Sequence, residues 1–330
     1  CITLTEPPEG APPEIIAGFE LRCDGFGLWS SNHLLTDPLS AQERELLEWY
    51  LEEYWKWPYD VFAQRGLGAE QKLKEVGQRL FQSVFGGPQA MSVFQSWDLQ
   101  PNAERQISII SSAPQALSLP WELLHDEQGF LALRTKNPVS ITRRLQQAEL
   151  SALPMQFTPP LRVLLVTARP DDTGFVDPRG IAKELFDEVQ LQIEAGAIAL
   201  EFLRSPTLEA LRERLSHNPP IHILHFDGHG TQGKLAFEDD DGEKNPISGR
   251  ELAQKLEGSG ISLVVLTACQ SARSDSERLF SSVASQLIRN GIDAVIAMSA
   301  SVLVASATKY VEAFYRQLAT GKSVNLAHEL

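Results

Sequence analysis

Two short segments carry residue types suited to covalent chemistry. His225-Phe-Asp-Gly-His-Gly230 holds an imidazole between two glycines, and Thr267-Ala-Cys-Gln-Ser271 holds a thiol. Each follows an apolar run, Ile221-His-Ile-Leu224 and Ile261-Ser-Leu-Val-Val-Leu266, that reads as a buried strand. Parallel α/β sheets gather their functional groups at the carboxyl ends of strands. A thiol and an imidazole at one such edge match a cysteine nucleophile served by a histidine base.

Taken alone, Cys269 reads as a small core residue, because cysteine is among the most buried residue types. Its place at a strand end, before the polar loop Gln270-Ser-Ala-Arg-Ser-Asp275, points to exposure, and a following helix N-terminus would favour thiolate. His229 shifts the balance, since flanking glycines leave its ring unshielded and let a substrate approach the backbone. His222 and His225 lie within the strand and are expected to bond internally, with His225 supporting the site from behind. Asp227 is expected to point away from His229, so the pattern predicts a dyad and not a triad.

Those residues need a framework to hold them. After residue 161 apolar runs alternate with helical periodicity. Strands are predicted at Leu161–Ala168, Ala199–Leu203, a run ending at His225, a run ending at Cys269, and Ala294–Met298. Helices are predicted over Ile181–Ala195, around Leu208, Leu211 and Leu215, from a capping box Ser248-Gly-Arg-Glu251, over Glu277–Arg289 and over Ala305–Ala319. That alternation means βαβ units and a mostly parallel sheet. Thr231 to Pro246 reads as a polar excursion, and its acidic run Glu238–Glu243 as a solvated hairpin turn, since it lacks the ligand spacing of a calcium loop.

Earlier in the chain, residues 1–18 read as a flexible, Pro-rich lead. Residues 19–146 read as a smaller α/β domain. It contains a strand at Phe19–Cys23, a helix from Ser40 to about Trp55 with Glu43 completing a capping box, and a helix over Ala69–Phe85. Further strands are predicted at Gln106–Ser111, Phe130–Arg134 and Val139–Arg144, with a turn into a short helix at Leu119–Leu124. Residues 147–160, ending in Pro159-Pro160, read as the linker to a second domain spanning 161–330.

Composition narrows the function classes. The 330 residues carry a net charge of −14, which argues against a nucleic-acid surface. No apolar run approaches the roughly 18 residues that span a bilayer. Three cysteines (Cys1, Cys23 and Cys269) do not make a disulfide framework and point to a reducing cytoplasm. The segment after Leu161–Ala168 has one glycine, Gly174, and so lacks the phosphate cradle of a nucleotide-binding domain. Neither a metal nor a cofactor is expected.

Several blocks together resemble a known family. Gly77-Gln-Arg-Leu-Phe81, Leu119-Pro-Trp-Glu-Leu-Leu124, Val139–Leu145, His225–Gly230, Val264–Ala272 and the stretch from Ala297-Met298 to Phe314-Tyr315 are similar to CHAT domains, a branch of the caspase and separase group of cysteine peptidases. The resemblance implies a caspase-like three-layer α/β/α sandwich preceded by a related but inactive α/β domain. It implies His229 as the catalytic histidine and Cys269 as the nucleophile of an endopeptidase acting through an acyl-enzyme. Backbone N–H groups of Gly230 and Cys269 would then form the oxyanion hole. Where the caspase signature has Gly two residues after its Cys, this chain has Ser271, so the caspase preference for Asp is not carried over.

Relatives that cut after basic residues carry pocket acids, and Asp171, Asp172 and Asp275 follow strand ends on the expected edge. Strand-end acids are also ordinary loop and cap residues. The family further implies a protein or peptide substrate, a helical-repeat regulatory partner or domain, and a proteolytic switch in bacterial signalling or defence. The rival reading is a non-enzymatic caspase-like scaffold whose dyad is silent.

Overall fold

The computed structural model describes the chain except residues 13, 24–27, 55–61, 101–104, 112, 113, 118, 146–156, 172–179, 232, 233, 268–275, 298–303, 329 and 330. Its residues fall into two compact units, 1–148 and 149–328.

The first unit is built on a mixed five-stranded sheet. Strands β1 (Ile2–Thr5), β2 (Ile15–Cys23) and β3 (Leu28–Thr36) precede helices α1 (Ala41–Glu52), α2 (Ala63–Phe85) and α3 (Pro88–Asp98). Then come β4 (Arg105–Ser111), α4 (Pro114–Leu117), the short pair β5 (His125–Asp126) and β6 (Gly129–Phe130), and β7 (Val139–Leu145). The sheet order is β3-β2-β1-β4-β7, with β1 antiparallel to β2 and parallel to β4.

Two expectations for this unit are corrected. The supposed flexible lead contains β1 at the centre of the sheet, where alternate residues Ile2 and Leu4 are buried. The prolines that suggested a lead lie between β1 and β2 and end each strand instead of dissolving both. The strand expected at Phe130–Arg134 ends at Phe130, and Leu131–Leu133 form a 3₁₀ turn that buries Leu131 alone.

The second unit opens with β8 (Leu161–Thr167), α5 (Gly180–Glu194), β9 (Ile198–Phe202) and α6 (Leu208–Leu215). It continues through β10 (Ile223–Asp227), β11 (His229–Thr231), β12 (Lys234–Glu238), β13 (Lys244–Ser248) and α7 (Gly249–Leu256). Last come β14 (Leu263–Thr267), α8 (Ser276–Arg289), β15 (Ala294–Ala297), α9 (Val304–Ala319) and α10 (Val324–His328). Five strands form a parallel sheet in the order β15-β14-β10-β8-β9.

Side chains alternate across this sheet, as period-two strands require. Leu161, Val163, Leu165, Ile223 and Val265 pack with α5, α9 and α10. Leu164, Val166, Leu224, Phe226 and Val264 pack with α6, α7 and α8 on the other face. Helices on both faces explain why the strands read as unbroken apolar runs.

The polar excursion is a further correction. It forms a three-stranded antiparallel sheet, β11-β12-β13, that buries Leu235 and Phe237 against the core. Polar residues on its open side and Pro246 in β13 hid the alternation. The acidic run is the hairpin turn between β12 and β13, where Asp239 Oδ1 accepts from the N–H groups of Asp241 and Glu243, and Gly242 takes a φ of +84°.

Candidate active site

The strand carrying the histidine segment runs two residues further than expected, to Asp227, because His225 and Asp227 are both buried within it. The described part of the cysteine strand ends at Thr267. Parallel pairing sets Ile223 beside Leu263 and Asp227 beside Thr267, so the two strand ends are level. His229 follows Asp227 by two positions, and Cys269 follows Thr267 by two. Cys269, Asp172 and Asp275 themselves lie outside the described residues.

His229 opens β11 directly after Gly228. A Cβ at Gly228 would come within 2.7 Å of the Phe226 ring and 3.2 Å of the Ala168 carbonyl, so only glycine lets the chain turn this tightly. His229 pairs with Ala236, which pairs in turn with Pro246, so these three residues form one row across the small sheet. The histidine is 4 % exposed. Gly230, the expected oxyanion donor, pairs with Leu235 in the same ladder and is buried.

Asp227 is occupied by an ion pair with the neighbouring β8 end. Arg169 Nη2 donates to its Oδ2 at 2.7 Å, while Nη1 donates to the carbonyls of Asp227 and Ala168 at 2.8 and 2.9 Å. Burial raises the carboxyl pKa of Asp227 and outweighs the pull of the Arg169 charge in the other direction. The backbone N–H of Arg169 donates to Glu238 Oε1 at 2.7 Å, which ties β12 to the same corner. Nothing local in the sequence marks these contacts, since the partners are 58 and 69 residues apart.

His222, expected within the strand, lies one residue before β10, and both it and His225 bond internally. His222 Nδ1 accepts from the Arg162 N–H at 3.2 Å. His225 is fully buried between Thr267 and Tyr315, with Nε2 2.7 Å from Thr267 Oγ1 and Nδ1 3.2 Å from Tyr315 Oη. Burial pushes its pKa down to about 3, so the ring is neutral.

Of the pocket acids, Asp171 is exposed, and its N–H donates to the Gly242 carbonyl at 3.1 Å, at the tip of the β12–β13 hairpin. Among the described residues no cluster of three or more His, Cys, Asp or Glu side chains is arranged to hold a metal ion. No helix among them is long and apolar enough to cross a membrane.

The family blocks of the first unit are packing elements. Trp121 is fully buried and its Nε1 donates to the Ala116 carbonyl at 2.9 Å. Arg143 bonds Glu122 and donates to the carbonyls of Leu117 and Leu119. Gly77 sits so close beneath the Leu123 carbonyl that a Cβ there would approach to 2.0 Å. The Gly77–Phe81 and Leu119–Leu124 blocks therefore meet each other, backbone against backbone.

Comparison with curated proteins finds no match. Comparison with family models matches residues 74–328 to the CHAT domain. That span runs from α2 of the first unit to the last described residue of the second. The chain belongs to the CHAT domain family, which is related to caspase-like cysteine peptidases.

Proposed function

We propose that the chain is a cysteine endopeptidase acting through His229 and Cys269. The observation that carries this reading is the level pairing of Asp227 with Thr267, which brings two parallel strands to a common edge two residues before each candidate. Two residues reach at most about 7 Å, so each candidate starts within that reach of the shared strand edge. In the reaction the Cys269 thiolate attacks the substrate carbonyl carbon and forms a thioester as the C–N bond breaks. His229 gives its proton to the departing amine, then takes one from the water that hydrolyses the thioester. N–H groups of Gly230 and Cys269 stabilise the oxyanion, each worth about 2.7–4 kcal/mol of barrier.

A basic residue at the cleavage site is the preference we infer, with Asp171, Asp172 and Asp275 as the acids that would meet it. In this reading the first unit is an inactive caspase-like domain, and a helical-repeat partner or domain regulates a proteolytic switch in bacterial signalling or defence. Fluorogenic peptides ending in Arg, Lys, Asp and Leu test the scheme. Cleavage after Arg or Lys that falls roughly a thousandfold or more in Cys269→Ala is expected. Turnover unchanged in that variant removes the nucleophile, and preferred cleavage after Asp removes the basic pocket.

The near-complete burial of His229 favours one rival, a scaffold whose dyad is silent. Partner binding that survives Cys269→Ala, with no cleavage of any peptide by the native chain, would select it.

A further inference from the structure

The ends of β10 and β14 are joined by a buried chain of hydrogen bonds that the proposed chemistry does not use. Tyr315 of α9, His225 of β10 and Thr267 of β14 are each at most 2 % exposed. One arrangement of protons satisfies every group. The Tyr315 hydroxyl donates to His225 Nδ1, His225 Nε2–H donates to Thr267 Oγ1, and the Thr267 hydroxyl is left to face the Phe226 carbonyl in a long, weak contact of 3.5 Å. The other tautomer leaves the Thr267 hydroxyl with no proton for that carbonyl. The His225 and Tyr315 rings also stack, with centroids 5.8 Å apart and planes 22° from parallel.

The link falls where the backbone ladder weakens. The next inter-strand contact, from the Gly228 N–H to the Thr267 carbonyl, is 3.4 Å long, well beyond the usual 2.9–3.0 Å of such a bond. It is the last contact between the two strands among the described residues, since the described part of β14 ends at Thr267. Burial lowers the His225 pKa and raises that of Tyr315, so neither group changes charge near neutrality. The link therefore keeps one hydrogen-bonding state where an enzyme would work.

We propose that His225, with Thr267 and Tyr315, is a positioning assembly that sets the separation of His229 and Cys269. The proposal rests on the peptidase reading above. It assigns no proton transfer to His225, whose partners are all structural. What it supplies is register, and a displacement of about 1 Å at reacting groups costs about a hundredfold.

The test uses the full chain and needs no known substrate. Alkylation of Cys269 by iodoacetamide is followed across pH by mass spectrometry of the Cys269 peptide. In the native chain the midpoint is expected below the ordinary thiol range near about 8.5, and His229→Ala should return it there. Thr267→Val and Tyr315→Phe each remove one hydroxyl with little change of shape. Each should slow alkylation near neutral pH about 10- to 100-fold and move the midpoint upward, with the fold intact by circular dichroism. Thr267→Ser should restore the native profile. If Thr267→Val does not fold, Tyr315→Phe decides alone. A native profile that ignores His229→Ala overturns the dyad and this proposal together. A profile that responds to His229→Ala but ignores the folded hydroxyl variants overturns this proposal alone.

Discussion

His225 and Asp227 share one face of β10 and meet burial in opposite ways. The histidine stays neutral with its pKa near about 3, while the carboxylate is held by Arg169. Because the folded pKa of His225 lies below the ordinary 6.5, acid favours the unfolded chain, which accepts a proton that the folded one refuses. Its contribution to stability is flat above about pH 6.5 and falls by about 1.4 kcal/mol per unit below that, down to about pH 3. Urea denaturation of the native chain and His225→Gln at about pH 7.5 and about pH 5.5 measures this, and the variant should lose that part of the slope. Arg169→Met strands Asp227 in the interior, which should cost about 3–5 kcal/mol at neutral pH. Its sign with pH is reversed: a carboxyl pKa raised on folding means the deficit shrinks as acid protonates Asp227. A deficit that grows in acid would show that Arg169 acts otherwise than as its counter-charge.

At the scale of elements, local chemistry was legible and long-range pairing was not. The capping boxes Ser40–Glu43 and Ser248–Glu251 stand as their spacing predicts, opening α1 and α7. Ser248→Ala should cost about 1 kcal/mol in thermal or chemical denaturation. Gly249→Ala should cost more, about 1–3 kcal/mol. Its added carbon would lie 2.6 Å from the Val283 carbonyl, so α7 and α8 must part. Equal losses from the two substitutions would show that this close approach is soft. The apolar runs of β8, β10 and β14 were readable because burial on both faces leaves no polar alternation to confuse. β1 was misread because prolines beside it suggested a lead, and β11–β13 because half their residues face away from the core. The Tyr315–His225–Thr267 chain was invisible, since its members are brought together only by the sheet and α9.

For the whole molecule, the division at residue 148 falls within the stretch that ends in Pro159-Pro160. Units with separate cores unfold as separate transitions when little couples them. Gly77→Ala, which drives α2 against the Leu123 carbonyl, should shift one transition, and Arg169→Met the other. A single transition moved equally by both would show that the units unfold as one body. The family match spans both units, and its blocks in the first are accounted for by packing around Trp121 and Gly77.

The bond between Tyr315 and His225 joins residues 90 positions apart. On a ribosome, β10 and β14 are made before α9, so both strands exist while Tyr315 is still untranslated. Contacts of such long range form late in folding. If the proposed assembly aligns the dyad, a nascent chain would hold its imidazole and thiol unaligned, and so chemically quiet beside other newly made proteins, until α9 has been made and docked.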